Sequence, residues 1–137
     1  MKKLARASTS YAVLGLVSGL FYREFTKMND FTGATQLSTL HTHLFVLGMF
    51  FFLIVLLLEN TFQLSAEKNY KKFYILYNSG FGLTVLMMTI HGTLQVLGKG
   101  GHPAISGMAG LGHIILTFGL YFFFQVLLSA VNKKENK

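Results

Sequence analysis

Five histidines, at positions 41, 43, 91, 102 and 113, are the side chains best suited to chemistry in this sequence. Neutral imidazole is the commonest protein ligand for transition metals and also binds haem iron. The chain has no cysteine, which excludes disulfides, thiolate-held Fe–S clusters and covalently attached c-type haem. His102 stands in the segment Lys99-Gly100-Gly101-His102-Pro103, where a histidine is usually just solvated. The other four interrupt long apolar runs. A lone histidine in such a run often only hydrogen-bonds a neighbouring helix. Four at one level favour a shared haem or metal site, with His41, His43 and His91 as the metal-ligand candidates. Two residues apart on a helix means ~200° around its axis. His41 and His43 therefore point to nearly opposite sides and cannot clamp one metal together.

The elements that position these residues are membrane spans. Hydrophobic residues make up 52% of the 137 and charged residues 12%, about half the charged share of a soluble domain. A helix crosses the ~30 Å hydrocarbon core with ~20 mostly apolar residues. Four runs qualify, at about 7–22, 37–58, 73–97 and 104–131, and little chain is left over. The expected fold is all-α: an integral membrane four-helix bundle, one domain over residues 1–137. Strands are a poor alternative, because the runs are long and lack the alternation of a lipid-facing barrel strand. Pro103 suits the first turn of the fourth helix. Lys2, Lys3 and Arg6 ahead of the first run resemble a signal peptide, but no small-x-small cleavage site follows, so an anchor helix is expected. The +7 net charge does not imply a nucleic-acid partner, since the basic residues sit in short ends and loops between apolar runs.

Those basic residues set the orientation. Lys2, Lys3, Arg6, Lys68, Lys71, Lys72, Lys133, Lys134 and Lys137 fall on one side, and only Arg23, Lys27 and Lys99 on the other. The positive-inside rule then puts both termini in the cytoplasm. Helical rise places His41 ~6 Å, His43 and His91 ~9 Å and His113 ~14 Å from the outer end of their spans. Gly15 with Gly19, and Ser106 with Gly110, form small-xxx-small pairs that permit close helix approach, within the bundle or between subunits.

The segment Leu40-His41-Thr42-His43-Leu44-Phe45-Val46-Leu47-Gly48-Met49 resembles the tenth helix of the catalytic subunit (subunit I) of the haem-copper oxidases. There an His-x-His pair near the outer face ligates two haems on opposite sides of one helix. That subunit's twelve spans form three four-helix arcs. This chain resembles a single arc, and is similar in layout to small four-helix bacterial membrane proteins with an His-x-His motif. The resemblance implies three copies rebuilding a twelve-helix ring. Positions four after His41 and His43 are Phe45 and Leu47, so the oxidases' cross-linked tyrosine has no counterpart, and the inner halves lack polar proton channels. Asn78, Tyr77, Thr84, Gln125 and Tyr121 are the polar exceptions there, assigned to packing or helix hydrogen bonds. The resemblance thus carries haem binding and not oxygen reduction, and leaves catalysis open.

The resulting expectation is a homotrimeric b-type cytochrome in a bacterial cytoplasmic membrane, serving electron transfer or binding of a small gas such as NO or O₂. In a closed ring each subunit meets two neighbours through different faces, so His41 of one copy and His43 of the next would hold a haem between them. His91, with His113, would stand beside it or complete a copper site. Arg23, Lys99 and His102 are candidates to neutralise the propionates. The rivals are a copper- or haem-handling transporter, and a structural or assembly subunit whose histidines only join helices. Quinone is a further conceivable partner without a motif of its own.

Overall fold

In the computed structural model, residues 1–99 and 103–136 are described. They fold into helices with no strand among them. Helix α1 runs Lys2–Met28. The second span begins as α2 (Leu37–His43), continues through a π-helical segment, Leu44–Phe50, and ends as α3 (Phe51–Phe62). A 3₁₀ turn, Leu64–Ala66, leads to α4 (Tyr70–Val96), and α5 spans Pro103–Glu135. Four of these stretches are long and apolar enough to cross a membrane: Lys2–Met28, Leu37–Phe62, Tyr70–Val96 and Pro103–Glu135. The helices outrun most of the apolar stretches, reaching Lys2, Phe62 and Glu135 where sequence places the ends at 7, 58 and 131. Hydrophobicity marks only the hydrocarbon part of a span, whereas the helix continues into the headgroup region, where charged side chains are solvated. At its far end α4 stops at Gly98, whose φ of +69° lets the chain turn back so that the Lys99 N–H bonds the Leu94 carbonyl at 2.8 Å.

The chain alternates direction, so the N-terminus of α1, the end of α3, the start of α4 and the end of α5 share one Lys-rich end. The histidines lie toward the other. Two tight pairs build the molecule. In the α4–α5 pair, Gly80 lies against the Leu116 backbone, Gly112 against Thr84 and Gly119 against the Tyr77 backbone. Glycine at these places lets two helix backbones approach with no side chain between them, which is how packing energy is gained where lipid is as apolar as the protein. In the other pair α1 packs on the second span, Gly15 against Phe45 and Gly48 against Tyr11. An aromatic core joins the pairs. Phe51 stacks on Tyr77 at 4.0 Å, and Phe52, Phe73 and Phe81 are fully buried around them. Among the described residues α1 and α5 share no packed interface. The four spans therefore form an open arc, α1–second span–α4–α5.

Several hydroxyl and amide groups inside the spans find partners, as a medium without water demands. The Tyr11 hydroxyl donates to Asn78 Oδ1 at 2.8 Å, Asn78 donates to the Tyr74 carbonyl, Thr84 to Gly80, and Gln125 to the Tyr121 hydroxyl. Two of these bonds explain the π-helical segment. Ser8 Oγ donates to the Met49 carbonyl at 2.9 Å, and the Tyr77 hydroxyl to the Leu47 carbonyl at 2.8 Å. Hydroxyls from α1 and α4 thus enter the carbonyl ladder of the second span, and one wide turn absorbs the interruption.

At the Lys-rich end Glu67, in the turn before α4, clamps α5. Its carboxylate accepts from Lys133 Nζ and Ser129 Oγ, each at 2.7 Å, and its side chain is only 9% exposed. The Lys133 hydrogen bond, then that of Ser129, hold this carboxyl below its ordinary value of 4.5. A lowered folded-state pKa contributes stability that is present above the ordinary value and is lost as pH falls through the folded one. Glu67→Gln is therefore expected to melt earlier than the parent at pH 7, with the gap closing as the pH is taken below about 4. Thermal melts of both in detergent at stepped pH check this, and a constant gap would show that the clamp is not electrostatic.

Candidate histidine site

The cross-helix contacts fix the height of each histidine. Leu37 lies against Gly92 and Thr84 against Gly112, and Phe51 is level with Tyr77. Projected on α4, His91 is nearest the end opposite the lysines. His41, His43 and His113 follow, with His113 level with the middle of α4. All four fall within ~12 Å along the axis, at 1.5 Å per residue.

Around the axis they diverge. His41 backs onto α1, its Cβ near the position a Cβ on Gly19 would take, 3.8 Å away. The Gly15/Gly19 pair is therefore engaged inside the chain, under Phe45 and His41. Gly110 of the other pair has open space beside it, while the Ser106 side chain lies outside the described residues. His43 is on the opposite side of α2, half-buried. His91 is half-buried on α4, and His113 is exposed on α5. Among the described residues no three His, Asp or Glu side chains converge where they could hold a metal ion. His41, His43 and His91 thus do not form a three-ligand centre within one chain. Arg23 is exposed and 3.6 Å from its neighbour Glu24, and Lys99 is exposed. His102 lies outside the described residues.

The rings are not equivalent chemically. His43 Nδ1 lies 2.9 Å from the Thr39 carbonyl, and His113 Nδ1 2.9 Å from the Ala109 carbonyl. A carbonyl only accepts, so in both rings Nδ1 must carry the proton. The neutral ring then has its lone pair on Nε2. Fixing one nitrogen on a backbone carbonyl is the usual support for an imidazole that ligates a metal through the other. His41 differs. Its Nδ1 is buried without a partner, and its Nε2 is 3.4 Å from Thr42 Oγ1, too long for a strong bond. An unmet polar atom of this kind costs about 1–3 kcal/mol. Of the two motif histidines, only His43 has its Nδ1 fixed on a backbone carbonyl. The sequence spacing separates the two rings but does not rank them, because the anchoring carbonyls are backbone atoms.

A family of proteins of unknown function, DUF2871, matches residues 1–130. No curated protein and no solved structure matches the chain. With nearly its whole length matched, the chain belongs to the DUF2871 family.

Proposed function

We propose that this DUF2871 protein is a haem-binding membrane cytochrome, with b-type haem held between copies of the chain, serving electron transfer or the binding of a small gas. One observation carries the reading: two intramembrane imidazoles, His43 and His113, each have Nδ1 fixed on a backbone carbonyl and Nε2 left with its lone pair. The donor set suits haem iron, which takes neutral imidazole nitrogen as its axial ligand. His43 of one copy and His113 of the next are the proposed axial pair, with Arg23 and Lys99 near the propionates. This revises the pairing of His41 with His43 expected from the motif. When bound, the haem supplies the redox couple or the gas-binding iron. The chain supplies the ligands, holds their tautomers and excludes water.

The oligomer belongs to the same proposal. An exposed histidine at mid-span would face hydrocarbon in an isolated chain, an unfavourable place for an imidazole. An arc open between α1 and α5 leaves two different flanks, and heterologous contacts repeated between such flanks give a ring when the rotation from copy to copy closes. Three copies is the number favoured by the likeness to one oxidase arc. In this reading both termini are cytoplasmic, because nine of the twelve Lys and Arg residues are on that side, and the histidines occupy the outer half of the membrane. The test is an absorption spectrum of the purified protein, oxidised and then reduced. The expected result is a haem spectrum whose visible bands sharpen on reduction, as in a six-coordinate b-type cytochrome. Colourless protein of full thermal stability after expression with ample haem would overturn the proposal and favour a structural subunit.

A further inference from the structure

The backbones of α1 and α4 stand apart across the face of the second span and leave a groove between them, bridged by the Tyr11–Asn78 hydrogen bond. At the Lys-rich end it opens in a cleft of about 530 Å³ bordered by Lys2, Lys3, Lys71 and Tyr74. Lys3 and Tyr74 also border the next stretch, about 460 Å³, together with Arg6 and Asn78. Leu14 carries the groove on into a third stretch of about 270 Å³, walled by Val17, Leu40, Leu44 and Val85. The groove is thus cationic at its mouth, hydroxyl- and amide-lined at its neck, and apolar beyond.

One carboxylate, Glu59, stands beside the mouth and accepts from the Ser65 N–H and hydroxyl, against four cations; Glu67 is engaged by Lys133 and Glu24 by Arg23. Among the described residues no carboxylate pairs with Lys2, Lys3, Arg6 or Lys71. From Lys71 to Val85 is 14 residues, ~21 Å of helix. That matches one headgroup layer plus one leaflet of hydrocarbon, half of a bilayer ~40–45 Å thick.

We propose that the α1–α4 groove binds an anionic phospholipid of the inner leaflet, its phosphate among Lys2, Lys3, Arg6 and Lys71 and an acyl chain along Leu14, Val17, Leu40 and Val85. A basic pocket between spans at a membrane face is the recognised setting for an anionic headgroup. A helix from a second copy fits the groove poorly, because it would have to bury unpaired cations along with the apolar wall. The headgroup end of the site lies at the opposite end of the arc's height from the histidines, and its apolar end reaches their level at Leu40 and Leu44.

Native mass spectrometry of the full chain, released from detergent in the presence of dioleoyl phosphatidylglycerol or dioleoyl phosphatidylcholine, tests it. The phosphatidylglycerol adduct is expected to be favoured by about tenfold or more. The triple variant Lys3→Gln/Arg6→Gln/Lys71→Gln should lose that preference. A charge-matched triple away from the groove, Lys68→Gln/Lys72→Gln/Lys134→Gln, with Lys72 over the Phe122 ring of α5 and Lys134 over Phe62, should keep it. Val17→Trp, which fills the apolar stretch from an exposed position, should weaken lipid binding, and glycerol phosphate should not compete. Equal loss in the two triples would reduce the effect to general electrostatics. Equal binding of the two lipids, an unchanged Val17→Trp variant, or competition by glycerol phosphate would each overturn the lipid assignment.

Discussion

His43→Ala is expected to strip the purified protein of haem, by tenfold or more in haem per chain, and His113→Ala to do the same. Each change removes one axial ligand and leaves the iron held from one side only, so the spectrum of any residual haem should shift to a five-coordinate form. His41→Ala should retain most of the haem, because its Nδ1 has no carbonyl to fix it. His91→Ala should alter the bands more than the haem content. The decisive arm is co-expression of the two ligand variants. If the site lies between copies, mixed oligomers contain interfaces in which an intact His43 meets an intact His113, and part of the haem returns. Full haem in both single variants would dismiss these ligands, and a haem-loaded monomer of 15.3 kDa would dismiss the shared site.

The second large effect concerns folding. A Cβ on Gly119 would come within 2.7 Å of the Tyr77 Cα and N. Those are backbone atoms of a helix and cannot turn aside, so α4 and α5 would have to separate. Separation would also loosen the contacts of Gly80 with Leu116 and of Gly112 with Thr84. Gly119→Val is expected to lower stability by about 3 kcal/mol, the upper end for overpacking a tight interior, seen as a much lower melting temperature and a poor yield of folded protein. Gly107→Ala and Gly110→Ala provide the contrast. Both glycines have open space beside them, so the added methyl should leave stability unchanged or raise it by up to ~1 kcal/mol through helix propensity. Equal behaviour of Gly119→Val and Gly110→Ala would show that the α4–α5 contact does not hold the fold.

Fold and histidine site are legible in the sequence to different degrees. Four spans follow from apolar length alone, because a bilayer imposes one thickness on every helix that crosses it. The common height of His41, His43, His91 and His113 follows from counting residues at a fixed rise. The helix ends are less legible, since Lys2, Lys3, Arg6 and the stretch from Asn132 to Glu135 are helical yet carry no hydrophobic signal. The role of Gly15 and Gly19 was open too: small-residue spacing permits close approach but does not name the partner, which is the chain's own Phe45 and His41. Least legible was the ranking of the histidines. It depends on where ring nitrogens meet backbone carbonyls, and a carbonyl has no letter in a sequence. The five polar residues of the inner halves proved easier, with Asn78, Tyr77, Thr84, Gln125 and Tyr121 each engaged in a hydrogen bond within the chain.

The wide turn at Leu44–Phe50 has a consequence for how this protein can change over generations. It lies between the histidine-bearing turn and the aromatic half of the same span, so one more residue separates them than a regular helix of that height would use. The direction in which His41 and His43 point, relative to Phe51 and Phe52 below, therefore depends on this extra residue and on the Ser8 and Tyr77 hydroxyls that engage the turn's carbonyls. Loss of a single residue within the turn would restore a regular helix and swing both rings by ~100°, with the core beneath undisturbed. An insertion or deletion in this turn would thus change the heading of the His-x-His pair in a discrete step of ~100°.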